Sequence, residues 1–139
     1  MTNSIKLSFV NFMPKELEPG ILYVSEEFKV AGHMCPCGCG NKIITPLGPI
    51  DWLLTIKKGK PSLDPSIGNW QIPCRSHYWI RNGLIKWSYQ WNEKQILAGR
   101  QKEEERRKMY YHTLERKKKG TPIFTRFLNW ILRKIRDPK

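Results

Sequence analysis

The chain is short of acidic residues, of long apolar runs and of nucleotide-binding signatures, and each shortage narrows its function. Asp and Glu number 12 against 25 Lys and Arg, a formal net charge of +13, so an anionic partner is expected: nucleic acid, a membrane surface or an acidic protein. No stretch approaches the ~18 apolar residues of a membrane-spanning helix. The first twenty residues lack a charged segment followed by an apolar run, so a secretory signal is not expected and a cytoplasmic location is. There is no P-loop and no GxGxxG, and the carboxylates before residue 92 show neither HExxH nor paired spacing.

Cysteine is scarce too, with 4 in 139 residues, but three of them fall in "GHMCPCGCGNK" at alternate positions, Cys35, Cys37 and Cys39, after His33. The fourth, Cys74, stands in "PCRSHYWI" beside Ser76 and His77. In a reducing compartment clustered Cys and His read as metal binding or catalysis rather than disulfides. Pro36 and the glycines at 38 and 40 let successive thiolates converge as in a zinc knuckle, and a thiolate-rich set favours zinc. The expected ligands are Cys35, Cys37, Cys39 and Cys74, with His33 or His77 as substitutes. A structural zinc is favoured over a catalytic one.

The charge is uneven. Residues 1–92 hold ten Lys/Arg and six Asp/Glu, whereas residues 93–139 hold fifteen and six. The first segment is a series of short β-like runs, 5–13, 21–24, 28–31, 42–45, 51–58, 69–72, 77–81 and 84–89, divided by Gly, Pro, Asn and Asp. "HYWIR-NG-LIKWSY" predicts a hairpin with a type I′ turn at Asn82-Gly83. The fold expected for residues 1–92 is mainly β, a small antiparallel, metal-stapled sheet or barrel. Residues 93–139 are expected to form a basic α-helical extension, solvated first, with an amphipathic segment at 122–136. That segment could pack on protein, lie on an anionic membrane or, with the basic helix, bind nucleic acid.

If the thiols satisfy a metal, both histidines are released for chemistry. Ser66, in "LDPSIGNW", is a candidate nucleophile, with the Ile67-Gly68 amides as possible oxyanion donors; alternatively it caps a turn after Pro65. Ser76 and His77 are neighbours and on a strand point to opposite faces, so they do not form a pair.

The two segments "GILYVSEEFKVAGHMCPCGCGNKIITPLGPIDWLL" and "PSLDPSIGNWQIPCRSHYWIRNGLIKWS" together resemble the bacterial "domain of unknown function 6527" family, over about residues 20–88. The resemblance implies metal binding and a place in a bacterial ubiquitination-like pathway, with a role in phage defence. It also implies as partners a ubiquitin-like protein and its activating and conjugating-type enzymes. The function expected is a peptidase that processes or removes the ubiquitin-like protein, Ser66 attacking with His33 or His77 as base; a variant makes the zinc catalytic. The alternatives are a non-enzymatic zinc adaptor and, third, a nucleic-acid-binding zinc protein.

Overall fold

A computed structural model describes residues 1–119 and 130–134. Contacts divide the chain into two units, Met1–Leu97 and Ala98–Lys139.

The first unit contains two four-stranded sheets, neither closed into a barrel. One has the order β1 (Lys6–Phe9), β2 (Ile21–Ser25), β3 (Val30–Met34), β4 (Lys42–Pro46); the other β5 (Leu53–Lys57), β6 (Lys60–Gly68), β7 (His77–Arg81), β8 (Leu84–Trp87). All neighbours are antiparallel except β1 and β2. The segment leading into β1 ties the sheets together. Ile5 N–H donates to the Gly83 carbonyl at 2.8 Å and Ile85 N–H to the Asn3 carbonyl at 2.9 Å, before the chain continues into β1 beside β2.

The core follows strand alternation. Leu22 and Val24 on β2, Leu63 and Ile67 on β6, Tyr78 and Ile80 on β7 and Ile85 on β8 are buried in one cluster with Ile5, Ala31 and Cys35. Each large aliphatic side chain there contributes roughly 1.5–3 kcal/mol by leaving water. The Asn82-Gly83 turn adopts the expected positive φ at both residues, 49° and 72°.

Two differences from the sequence expectation bear on function. Residues 69–72, expected as a strand, lie in a turn, and Lys60–Gly68, left outside the expected strands, is the longest strand. Pro61 and Pro65 disguise it. β6 accommodates Pro65 through a bulge: three residues lie between Leu63 and Ile67 where one lies between their partners Ile80 and Tyr78. Because the insertion is of two residues, Leu63 and Ile67 both keep facing the core.

Helix α1, Glu93–Lys119, opens with a capping box. Gln95 N–H donates to Asn92 Oδ1 and Asn92 N–H to Gln95 Oε1, each at 2.9 Å. Ile96 is its one buried residue. In the second unit the described part of α1 is solvated, supported by pairs such as Lys108–Glu104 at 2.9 Å. Most of the expected amphipathic segment 122–136 lies outside the described residues; residues 130–134 are helical. Among the described residues no helix is long and apolar enough to cross a membrane.

Candidate active site

The bulge sets Ser66 on the face of β6 turned away from the core. There Ser66 Oγ lies 2.8 Å from Nε2 of His77, the first residue of β7. The other ring nitrogen, Nδ1, lies 2.7 Å from the Tyr89 carbonyl oxygen. A carbonyl only accepts, so Nδ1 carries the proton of the neutral ring and Nε2 offers a lone pair to the Ser66 hydroxyl. Hydroxyl, imidazole and orienting acceptor thus stand in the order that a serine nucleophile and its base require, with a backbone carbonyl where many serine hydrolases use a carboxylate.

His77 is 5% exposed although it points away from the core, because aromatic rings cover it. Trp70 and Trp91 stack on each other at 5.6 Å, with their centroids 5.0 and 5.3 Å from the imidazole, and Tyr89 adds a third ring at 6.3 Å. Gly68, directly opposite His77, makes room for this cover: a Cβ there would meet the Trp70 indole at 2.5 Å. Ser66 itself remains half-buried and its neighbours Asp64 and Pro65 are exposed, so its hydroxyl is reachable.

The cysteines form a separate cluster. Cys35 closes the end of β3, its N–H donating to the Asn41 carbonyl, and Cys37 and Cys39 follow in the turn before β4. Cys74 arrives from the loop between β6 and β7. That loop is closed at its neck by the Asn69 N–H on the Ser76 carbonyl at 2.9 Å, and Arg75 within it has a φ of 44°. All four Sγ atoms lie within 4.8 Å of one another and none is in a disulfide. Zinc bound tetrahedrally by four thiolates holds them about 3.8 Å apart; Cys35 is 3.4 Å from Cys37 and 3.9 Å from Cys74. The donor set therefore fits a soft cation.

The thiols' acidities point the same way. Burial, and then the neighbouring Cys35, pushes the Cys37 thiol up to about 12, and burial raises Cys35. A hydrogen bond from Asn41 Nδ2 at 3.1 Å leads the effects that draw Cys39 down to about 6. Four crowded thiols cannot all ionise alone, whereas a bound cation favours the thiolates and expels their protons. Ser76 Oγ supports the cluster at 3.1 Å from Cys35 Sγ and 3.3 Å from Cys74 Sγ, while accepting a bond from Asn69 Nδ2 at 3.0 Å.

His33 meets a different partner. It is fully buried, its Nε2 2.7 Å from the Tyr78 hydroxyl, a polar bridge from β3 of one sheet to β7 of the other. Burial pushes its pKa down to about 4 and holds the Tyr78 hydroxyl above the usual phenol range, so both are neutral near pH 7. Of the sequence candidates, the structure thus brings Ser66 to His77, gathers the four cysteines, and sets His33 against Tyr78. Sequence reasoning missed the Tyr89 carbonyl, a backbone group without a side-chain signal, and the Trp70 and Trp91 cover, whose partners are set only by the fold.

These features define a two-sheet β protein with a serine–histidine pair beside a four-thiol cluster. Residues 9–88 match the family described as bacterial ubiquitination-like system serine protease (BubE), and the chain belongs to that family. No curated protein and no solved structure matches the chain.

Proposed function

We propose that this protein is a serine-type peptidase that processes or deconjugates the ubiquitin-like protein of a bacterial ubiquitination-like pathway. Ser66 is the nucleophile and His77 the general base. The observation that carries this reading is the 2.8 Å contact between Ser66 Oγ and His77 Nε2, in a ring whose other nitrogen is fixed by the Tyr89 carbonyl. Membership of a serine protease family supports it.

As Ser66 Oγ bonds to the scissile carbonyl carbon, its proton passes to His77 Nε2. The imidazolium stays anchored through Nδ1–H on the Tyr89 carbonyl, and the aromatic cover shields it from bulk water. His77 then returns the proton to the leaving nitrogen as the C–N bond breaks. Water, deprotonated by the same Nε2, hydrolyses the Ser66 ester and regenerates the hydroxyl.

Zinc held by Cys35, Cys37, Cys39 and Cys74 is the cofactor of this reading, and it would supply structural cross-linking rather than activation of water. What supports that assignment is the use of all four thiols in one cluster, while Ser66 and His77 bond to each other instead. His33 is read as a core residue, its Nε2 engaged by Tyr78.

The test mixes the purified protein with the ubiquitin-like precursor and follows intact mass. Loss of a C-terminal peptide or an attached group, stopped by Ser66→Ala with zinc retained, is the expected result. Loss that persists in Ser66→Ala but stops on chelation would overturn the serine mechanism. An unchanged mass with a stable complex would move the protein to the adaptor class.

A further inference from the structure

The strand that carries the nucleophile changes character at its bulge. Before it, Lys60–Asp64 has β5 on one side, from Lys57↔Lys60 through Leu53↔Asp64, and β7 on the other at Leu63↔Ile80. After it, Ile67 and Gly68 pair with β7 alone, and among the described residues no strand flanks their other side. The second half of β6 is an open sheet edge.

The direction of the free groups follows from the ladder. In an antiparallel pair, successive residues turn their N–H and C=O alternately toward and away from the partner strand. Asn69 N–H donates to Ser76 O across the β6–β7 ladder. Two residues earlier, Ile67 and Tyr78 are therefore also a hydrogen-bonded pair, and Gly68 between them turns its backbone groups away from β7. His77, opposite Gly68, agrees: its carbonyl accepts from the Ser88 N–H at 2.8 Å, on the β8 side. Gly68 thus presents one donor and one acceptor on the open edge, two residues from Ser66.

We infer that the substrate polypeptide binds as an added strand on this edge, exchanging backbone hydrogen bonds with Gly68 and so bringing its scissile carbonyl to Ser66. This rests on the peptidase reading above and names how that site takes its substrate. Strands pair about 4.8 Å apart through main chain alone, so the occupant is an extended, flexible stretch of polypeptide such as a chain tail, not a folded surface. The added strand is short. Pro65 has no N–H to offer, and β5 occupies the edge beyond the bulge. Gly68 adds no side chain of its own, and the Trp70 indole lies over the space one would fill.

Two measurements test this on the full chain. In the Ser66→Ala variant, amide exchange is expected to be slow at Ile67 and fast at Gly68. A synthetic peptide spanning the cut in the ubiquitin-like precursor should slow Gly68 and leave Ile67 unchanged; an unprotected Gly68 in the peptide-saturated protein would overturn the inference. With the wild-type enzyme, each of the four precursor residues before the cut is replaced by proline, with alanine at the same place as control. Losses of about 10-fold or more in kcat/KM at alternate positions, over alanine, are expected from missing N–H donors. Equal tolerance of proline at all four positions would sink the added strand and leave the peptidase standing. Failure to cleave the unsubstituted precursor would overturn both.

Discussion

The cysteine cluster and the Ser66–His77 pair draw on adjacent residues of one short segment, yet they are built in different ways. Ser76 reaches the thiols of Cys35 and Cys74; His77, the next residue, turns to Ser66. The cluster gathers three ligand candidates from one tight turn and needs a single long-range partner, Cys74. The pair needs a bulge in β6, a glycine opposite the histidine, an acceptor from beyond β8, and cover from Trp70 between β6 and β7 and from Trp91 beyond β8. A centre drawn mostly from one local motif needs the fold only to deliver Cys74. One assembled from strand register depends on the whole sheet.

The largest expected effect separates the two at the metal. Structural zinc in small domains contributes about 10 kcal/mol or more to folding near pH 7, so chelation or Cys35→Ala should lose zinc by elemental analysis and unfold the first unit by circular dichroism. Retained zinc and an unchanged melting temperature in Cys35→Ala would break the comparison. Next, Ser66→Ala and His77→Ala should each lower kcat by about 10³-fold or more while zinc content stays constant, and the double variant should be no worse than the poorer single one. Independent, multiplying losses would show that the two residues do not act as a unit.

Ser76→Ala sharpens the contrast between neighbours. It should weaken zinc affinity by about 10–100-fold in a competitive chelator titration, the usual effect of losing a residue that supports metal ligands, and leave cleavage intact when zinc is saturating. Tyr78→Phe should have the smallest effect. It leaves His33 Nε2 buried without its partner and should cost about 1–3 kcal/mol in urea unfolding, with kcat unchanged. A fall in kcat there would put His33 back among the catalytic candidates.

How much was legible follows the same division. The alternate cysteines, the Asn82-Gly83 hairpin and the helix after Trp91 could be read locally, because thiol spacing, turn chemistry and composition each act over a few residues. Ser66 could be singled out as a candidate nucleophile, but which histidine it contacts, His33 or His77, could not be chosen. That choice depends on a two-residue bulge at Pro65, and the prolines kept the segment out of the expected strands. The closed barrel considered for the β unit does not form; the N-terminal segment bridges two open sheets instead.

That bridging segment has a consequence for how the protein is made. Ser4 pairs with Leu84, so almost the whole β unit separates the partners of one rung in the chain. Contacts of such long range are slow to form and cannot form during synthesis until the distal partner has emerged. The Tyr89 carbonyl and the Trp91 ring that hold His77 emerge later still. A nascent chain therefore carries Ser66 and His77 for some time without the completed pair, and the proposed peptidase activity would arrive only with the last residues of the β unit.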